Sequence, residues 1–282
     1  MTSPDSTGRI WLITGTSSGF GRVIAEAALQ AGDTVVATAR HPEVLDHLAA
    51  AHPGRVSTVA LDVTDTARIP DVVAEVVDRH GRIDVLVNNA GRALIGAVEE
   101  TTDQELRDLM DVHFFGPAAL TRAVLPHMRA QKAGAIVQIT SMGGRMSFPG
   151  VSAYSATKFA LEGLSESLAA EVAPFGITVL IVEPGAFRTG LQGGAMQMSA
   201  ELPEYADVVG PVRANMRAVD GNQPGDPAKA AAAIIAALAA EHPPLRLPLG
   251  ADAADAITAR ATADRADFAA WEPVIRGTDF DT

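Results

Sequence analysis

The chain has 282 residues, a formal net charge of −12, and a hydrophobic fraction of 48%. This length and composition suit a folded protein with a large core and argue against disorder. The acidic balance disfavours a nucleic-acid or anionic membrane surface, because both attract clustered lysine and arginine. Cysteine is absent, which excludes disulfides, thiolate metal sites and a cysteine nucleophile.

We recognise neither a signal peptide at the N-terminus nor a membrane-spanning segment in the sequence. Residues 1–9 are polar and lack the apolar stretch of a signal peptide. The longest apolar stretch, residues 228–240, is too short and too rich in alanine to span a bilayer. No group of His, Asp and Glu has metal-ligand spacing. We therefore expect a cytoplasmic protein with no metal, no membrane and no nucleic-acid partner.

Short β-branched segments alternate with segments of helical apolar spacing along the first two thirds of the chain. Strands are predicted at residues 9–14, 34–38, 56–61, 84–87, 135–139 and 177–182. Helices are predicted between them, for example at residues 68–80 and 161–173. Continuous apolar strands that alternate with helices predict an α/β fold with a doubly wound parallel sheet and helices on both faces.

The segment from 188 to 227 breaks this pattern. It contains several glycines, prolines and methionines and no clear strand, which is typical of a binding loop or lid. A helix from about residue 227, a short strand at 246–249 and a helix from about 252 follow it. The sequence thus predicts one domain over 1–282, with a core at 10–187, a substrate lid at 188–227 and a C-terminal extension at 228–282.

The first predicted strand leads directly into a glycine-rich turn and a helix. Glycines at positions 15, 19 and 21 let the backbone approach a pyrophosphate, which the helix N-terminus attracts. Their G-x-x-x-G-x-G spacing differs from the best-known dinucleotide motif, and the alternative is a tight turn that needs glycine for geometry alone. The position after the first strand of a doubly wound sheet favours dinucleotide binding.

The end of the second strand indicates which dinucleotide is bound. NAD sites usually carry Asp or Glu there, for the ribose 2′-hydroxyl. This chain has Thr38, Ala39 and Arg40 instead, and a guanidinium can bind a 2′-phosphate bidentately. The sequence predicts NADP(H), the alternative being that Arg40 only begins a solvated loop.

Tyr154 and Lys158 stand four residues apart, which places them on one face of a helix. An ammonium beside a phenol favours the phenolate and lowers its pKa. Ser141 precedes the pair from a strand end and can hydrogen-bond a substrate oxygen. Together these groups can move a proton on or off a carbonyl or alcohol oxygen.

The ordered set of motifs from residue 10 to about 189 resembles the classical short-chain dehydrogenase/reductase family. The set comprises the T-G-x-x-x-G-x-G loop, Asn88-Asn89-Ala90-Gly91, Ser141 with Tyr154-x-x-x-Lys158, and Pro184-Gly185 followed by Thr189. The resemblance implies a Rossmann-type fold and hydride transfer between a nicotinamide and a carbonyl or alcohol. Tyr154 would be the general acid or base, Lys158 would bind the nicotinamide ribose, and Ser141 would hold the substrate oxygen.

The cofactor-binding residues follow from the resemblance, with Arg40 added from the second strand. They are Gly15, Ser17, Ser18, Gly19, Phe20, Gly21, Arg40, Asp62, Val63, Asn89, Ala90, Gly91, Tyr154, Lys158, Pro184, Gly185, Phe187 and Thr189. His113 stands where the family commonly has a catalytic asparagine. Its imidazole is expected to hold the same relay water, unless the relay uses backbone alone or the ring only packs in a helix seam.

The predicted substrate contacts follow strand ends and are mostly apolar. They are Leu94, Met142, Met146, Phe148, Met196 and Met198. Methionine adapts to irregular shapes, so this set favours a ketone or aldehyde on a hydrophobic skeleton. The alternative is that the methionines fill ordinary packing gaps.

Two other functional classes remain open. A non-redox enzyme of the same fold would be an epimerase, dehydratase or cyclase. A dinucleotide-sensing binding protein would typically lack the tyrosine–lysine pair that this chain keeps. The resemblance also implies a homodimer or homotetramer assembled through the long helices beside the fourth and fifth strands.

Overall fold

The computed structural model describes residues 8–191 and 196–280. Its strands are β1 (Ile10–Ile13), β2 (Thr34–Ala39), β3 (Val56–Ala60), β4 (Val85–Asn88), β5 (Ala93–Ile95), β6 (Gly134–Ile139), β7 (Ile177–Pro184), β8 (Met196–Met198) and β9 (Arg246–Leu249). Its α-helices are α1 (Gly19–Gln30), α2 (Asp46–Ala51), α3 (Ile69–His80), α4 (Asp103–Met110), α5 (Gly116–Gln131), α6 (Ser152–Val172), α7 (Ala206–Ala218), α8 (Pro227–Ala239) and α9 (Ala251–Arg276).

Seven of the strands in the described ranges form one parallel sheet, in the order β3-β2-β1-β4-β6-β7-β9. The predicted doubly wound α/β fold is confirmed, and each predicted strand is present with ends shifted by at most two residues. The strand order reverses between β1 and β4. A crevice therefore opens at the carboxyl ends of these strands, where ligands bind in such sheets.

Alternate residues of each strand face two separate apolar cores. On one face, Trp11 and Ile13 of β1 pack with residues of α1 and α8. On the other face, Leu12 packs with residues of α3, α5 and α6. All three β1 side chains are fully buried, as expected for a parallel sheet covered on both sides. The sheet is thus a rigid base for the loops at its carboxyl edge.

The segment after β7 is more ordered than the sequence indicated. The prediction of no clear strand there is wrong, because β8 pairs in parallel with β5 and forms a second, two-stranded sheet. A three-residue strand gives too little periodicity to be recognised from sequence. Helix α7 then packs on this small sheet, and Val209 of α7 is buried against Ile95 and Val151.

The C-terminal segment completes the main sheet and then leaves it. The strand predicted at residues 246–249 is present as β9, and it pairs with β7. Helix α9 follows. Within the described residues, Ala253 is the one residue of this helix that is buried. No helix in residues 8–191 and 196–280 is long and apolar enough to cross a membrane.

Candidate active site

A cavity of about 620 Å³ lies at the carboxyl edge of the main sheet. Almost all of the predicted catalytic and cofactor residues line it. They are Gly15, Ser17, Ser18, Gly19, Phe20, Arg40, Asp62, Val63, Asn89, Ala90, Gly91, His113, Ser141, Tyr154, Lys158, Pro184, Gly185, Phe187 and Thr189. The structure therefore brings together residues from positions 15 to 189 in one place.

The glycine loop after β1 lies against neighbouring backbone with no room for side chains. Gly15 has a φ of +67°, and a Cβ there would lie 2.9 Å from the Ala90 Cα. Gly19 has a φ of +55°, and its Cβ would lie 3.0 Å from the Thr189 carbonyl oxygen. Gly21 is not among the lining residues, because it packs beneath the loop against the Gly15 carbonyl and Asn89.

The first turn of α1 is open to an anion. Its N-cap residue, Ser18, makes no side-chain capping bond, and the turn contains no acidic residue. The free amides and the positive end of the helix dipole therefore face the cavity. Together with the close backbone approach at Gly15 and Gly19, this cradle fits the pyrophosphate of a dinucleotide.

Asn89 fixes the loop from the neighbouring strand. Its side-chain amide donates to the carbonyl oxygens of Thr14 and Gly15 at 2.8 and 3.2 Å. Its backbone N–H donates to the Thr14 hydroxyl at 2.9 Å, and that hydroxyl donates to the Val87 carbonyl. This network joins the ends of β1 and β4 across the switch point, so the shape of the cradle is set before any ligand arrives.

The far end of the cavity, below β2 and β3, carries Arg40 and Asp62. Arg40 is exposed, and its positive charge acts on Asp62. Burial raises the pKa of Asp62, but hydrogen bonds from the Thr64 amide and hydroxyl, with the charges of Arg40 and Arg92, bring it below the usual range. Asp62 is therefore an ionised acceptor at neutral pH.

Ser141, Tyr154 and Lys158 form what we call the catalytic wall of the cavity. Ser141 follows β6 and accepts a hydrogen bond from the Gly143 amide at 3.0 Å. Tyr154 and Lys158 lie in the first turns of α6. The Lys158 ammonium donates to the Ile139 carbonyl at 3.0 Å and stands 5.7 Å from the centre of the tyrosine ring. The three side chains thus meet where a small carbonyl group could reach them all.

The proton affinities on this wall depend mainly on burial. Burial raises the pKa of Tyr154, and a hydrogen bond from Ser141 lowers it by a smaller amount. This direction is opposite to the lowering that the lysine was expected to cause, because burial has the larger effect on the pKa of Tyr154. Burial lowers the pKa of Lys158 to about 8, and the charge of Glu162 opposes this change.

His113 lies in a π-helical turn, Asp111–Phe115, between α4 and α5. Its Nε2 accepts from the Arg92 amide at 3.2 Å, so Nδ1 carries the ring proton and donates to the Thr157 hydroxyl at 2.8 Å. That hydroxyl donates to the Tyr154 carbonyl at 2.7 Å. Burial and the charges of Lys158 and Arg92 hold the pKa of His113 well below its usual range. The neutral ring therefore ties the turn to the tyrosine helix with both nitrogens engaged.

None of the six predicted substrate residues is among the lining residues of the cavity. Met196 and Met198 pack with Ile95 and Val209 inside the small core of the lid. Leu94 packs behind Tyr154, against Leu109 and Ala153. Three more lie apart from the cavity lining: Met142 and Met146 are in or beside the turn after Ser141, and Phe148 is 42% exposed.

Several lining residues were missed by the sequence prediction. Near the catalytic wall these are Asp108, Asp111, Val112 and Gln197. Asp108 and Asp111 are three residues apart at the end of α4, so they share a helix face, and this spacing could have identified them. Gln197 lies between two core-facing methionines on β8, and strand alternation directs it to the cavity.

Comparisons with known proteins agree with this geometry. Residues 9–200 match the short chain dehydrogenase family. A crystal structure of a short-chain dehydrogenase from Streptomyces avermitilis is 61% identical, with a TM-score of 0.91 over 96% of this chain and 100% of that one. A 3-ketodihydrosphingosine reductase from Bacteroides thetaiotaomicron is 37% identical over 86% of this chain and 88% of its own length.

A metagenomic short-chain oxidoreductase, solved in complex with NADP, is 35% identical, with a TM-score of 0.60 over 64% of this chain and 83% of that one. The matched residues 9–200 contain the glycine loop, Asn89, Ser141, Tyr154 and Lys158, which together line the cavity. The chain is therefore an oxidoreductase of the short-chain dehydrogenase/reductase family.

Proposed function

We propose that the protein is an NADP(H)-dependent oxidoreductase that interconverts a ketone or aldehyde and an alcohol on a hydrophobic substrate, with Tyr154 as the general acid or base. One observation carries the proposal. The catalytic wall of Ser141, Tyr154 and Lys158 and the glycine cradle of β1 border the same cavity. A nicotinamide held there would supply or accept the hydride, and the protein's own groups handle the proton.

The side chains of the catalytic wall suit proton donation to a developing alkoxide. Because burial raises the pKa of Tyr154, its phenol is protonated at neutral pH and can donate. Ser141 hydrogen-bonds the phenol and can bond the same substrate oxygen. A positioned general acid of this kind contributes roughly 10²–10⁴-fold to a rate. Lys158 stays cationic below a pH of about 8 and stabilises negative charge on the wall.

The preference for NADP(H) rests on the charge at the end of β2. No carboxylate occupies the position that contacts a ribose 2′-hydroxyl in NAD sites, and Arg40 lines the cavity there. An exposed guanidinium can bind a 2′-phosphate through two charge-assisted hydrogen bonds. The NADP complex of the metagenomic relative supports this choice.

A substrate with an apolar skeleton and a polar group fits the cavity near Tyr154. Val112 and Leu191 supply apolar surface, while Arg92 and Gln197 add hydrogen-bonding groups. The name of the Bacteroides relative describes a ketone with such a skeleton, which supports the carbonyl class. Because Gln197 of β8 borders this end of the cavity, we expect β8 to contribute to the fit of the substrate.

Assembly into a homodimer or homotetramer is part of the proposal. Phe115, beside α5, and Phe159 on α6 are 50% and 46% exposed, and large apolar side chains on neighbouring long helices favour a subunit contact. Light scattering of the purified protein would give the number of subunits.

The test is stoichiometric consumption of NADPH with a panel of apolar ketones and aldehydes. We expect one alcohol formed per NADPH oxidised, and much lower kcat/KM with NADH. Arg40→Ser should raise the KM for NADPH by about 10–100-fold, the worth of a charge-assisted hydrogen bond, and leave NADH nearly unaffected. Conversion of a substrate without NADPH consumption would instead identify a non-redox enzyme of this fold.

A further inference from the structure

Behind the catalytic wall, charged side chains from four elements meet in the protein interior. Glu162 of α6 and Glu183 of β7 have side chains that are 4% and 0% exposed. Arg246 of β9 lies 3.2 Å from an oxygen of each, through different guanidinium nitrogens. Arg145, after the Ser141 turn, lies 3.1 Å from Glu183. We call this group the acid cluster.

The hydrogen bonds of the Thr140 hydroxyl indicate the protonation state of Glu162. The Thr140 hydroxyl lies 2.7 Å from Glu162 Oε1 and 2.7 Å from the Val182 carbonyl oxygen. Its single hydrogen cannot serve two acceptors, so both contacts are hydrogen bonds only when Glu162 carries a proton and donates it to Thr140. A protonated Glu162 thus completes the chain from the carboxyl through Thr140 to Val182.

The ionised form of Glu162 is also accommodated. The Thr140 hydroxyl would then turn to the carboxylate, and the Val182 carbonyl would still accept the Thr140 backbone N–H at 2.8 Å. No buried backbone group loses its partner when the hydroxyl turns. The site can therefore hold Glu162 in either protonation state without rearranging the strands.

Glu162 is also coupled to the catalytic wall. It lies one helical turn after Lys158, and the Lys158 ammonium donates to Ile139, the residue before Thr140. A Cβ on Gly144 would lie 2.8 Å from Glu162 Cγ, so the turn that carries Ser141 packs directly on the Glu162 side chain. Lys158, Ser141 and Glu162 are thus parts of one packed unit.

We propose that Glu162 is a titrating positioning residue for Lys158. On the acid side of neutrality it is a neutral acid that donates to Thr140. On the alkaline side it releases that proton to solvent, and its carboxylate then keeps Lys158 as an ammonium. This inference rests on the proposed function for its effect on turnover, although the protonation of Glu162 itself does not depend on it.

The groups around Glu162 account for a proton affinity near neutrality. Burial is the largest effect and, together with the negative charge of Glu183, raises the pKa of Glu162 to about 7. The hydrogen bond with Thr140 and the positive charges of Arg246 and Arg145 act in the opposite direction and lower this pKa. On its own helix, Lys158 is the buried cation and Glu166 is 64% exposed and also within 3.3 Å of Arg246. Lys158, with a pKa of about 8, titrates just above Glu162, so an anionic Glu162 opposes its loss of charge.

Infrared spectroscopy of the purified protein as a function of pH tests the proposal directly. We expect a carboxylic acid C=O band that disappears with a midpoint near pH 7, is missing from Glu162→Gln, and persists in Glu166→Gln. Glu166→Gln is the matched control, because it removes an exposed carboxylate that contacts the same arginine. The absence of this band, or its persistence in Glu162→Gln, would overturn the proposal even if the protein reduced no ketone.

The pH dependence of turnover gives the second readout. In Glu162→Gln, the ratio of kcat/KM at pH 8.5 to that at pH 6 should fall by about threefold or more, because Lys158 loses its proton at lower pH. Glu166→Gln should keep the wild-type ratio. An unchanged ratio in Glu162→Gln would contradict the coupling to Lys158, and loss of activity in every variant and in the wild type would fault the proposed function instead.

A second variant covers the case in which Glu162→Gln does not fold. Arg246→Gln removes a positive charge that lowers the pKa of Glu162. The midpoint of the infrared band should therefore move above the wild-type value. A midpoint that stays in place or falls would show that the band belongs to another carboxyl group.

Discussion

The two ends of the cavity are built in different ways. At the cofactor end, a Cβ added to Gly15 or Gly19 would lie about 3 Å from neighbouring backbone atoms, so only glycine fits. Asn89 joins two strands beneath this loop. At the lid end, the small sheet of β5 and β8 and helix α7 enclose a separate core that contains three methionines. That core also includes Val151, which directly precedes α6.

A buried ion pair also links α7 to the segment that follows β5. Arg213 of α7 lies 2.7 Å from Glu100 and donates to the Ser199 carbonyl, and the two charged side chains are 4% and 2% exposed. Glu100 also accepts from the amides of Ala97 and Leu202. The comparison teaches that the shape of the cofactor end depends on close backbone packing at glycines, whereas a buried pair of charged side chains helps to hold the lid end.

The largest effect is expected at the catalytic wall. Tyr154→Phe removes only the phenol oxygen and keeps the ring, which packs against Leu94 and stands edge-on to His113. We expect kcat to fall by roughly 10²–10⁴-fold, the worth of a general acid, with the NADPH dissociation constant nearly unchanged. Stopped-flow turnover and fluorescence titration measure the two quantities. If Tyr154→Phe kept a tenth or more of the wild-type kcat, Tyr154 would not be the general acid or base.

A smaller effect is expected when the lid loses its ion pair. Arg213→Met leaves Glu100 buried without its cation, which costs about 3–5 kcal/mol for buried pairs. Because the damage falls on the lid, we expect the substrate KM to rise more than the KM for NADPH. Calorimetry and steady-state kinetics give the two measurements.

Two further variants separate the buried pair from a surface effect. Glu201→Gln removes a 69% exposed carboxylate that lies 3.4 Å from the same Arg213, and it should change stability by at most about 1 kcal/mol. Adding Glu100→Gln to Arg213→Met should restore part of the lost stability, because it removes the unpaired buried charge while the amide oxygen of glutamine still accepts from one of the two amides, Ala97 or Leu202. If Glu201→Gln and Arg213→Met lowered the free energy of unfolding equally, the buried Arg213–Glu100 pair would not be what stabilises this region.

The residues that the sequence assigned to the cofactor end line one cavity, for a physical reason. A close backbone approach permits only glycine, and strand ends in a parallel sheet meet at one edge, so Gly15, Asn89 and Ser141 could be placed without coordinates. The lid could not be placed in this way. Methionine side chains such as Met196 and Met198 suit a ligand-binding surface and an apolar core equally well. The three-residue β8 is too short for its periodicity to show which of the two they face.

The acid cluster shows a similar limit. Glu183 ends an apolar strand and Arg246 begins one, but their approach depends on β9 pairing with β7, which the sequence order does not specify. His113 lines the cavity, but its hydrogen bonds to Arg92 and Thr157 depend on a π-helical turn that has no sequence signature. Residues whose role depends on contacts between distant elements are therefore the ones that sequence patterns miss.

The smallest effects should separate two adjacent residues of β8. Gln197 borders the cavity, whereas Met198 packs in the lid core. Gln197→Ala should lower kcat/KM for a ketone that carries a polar group by about fivefold, the worth of one hydrogen bond of about 1 kcal/mol. Met198→Leu conserves volume and should cost less than about 1.5 kcal/mol of stability, with kcat/KM unchanged. If Met198→Leu altered substrate preference while Gln197→Ala did not, the methionines would face the ligand after all, and the lid would be a binding surface rather than a separate core.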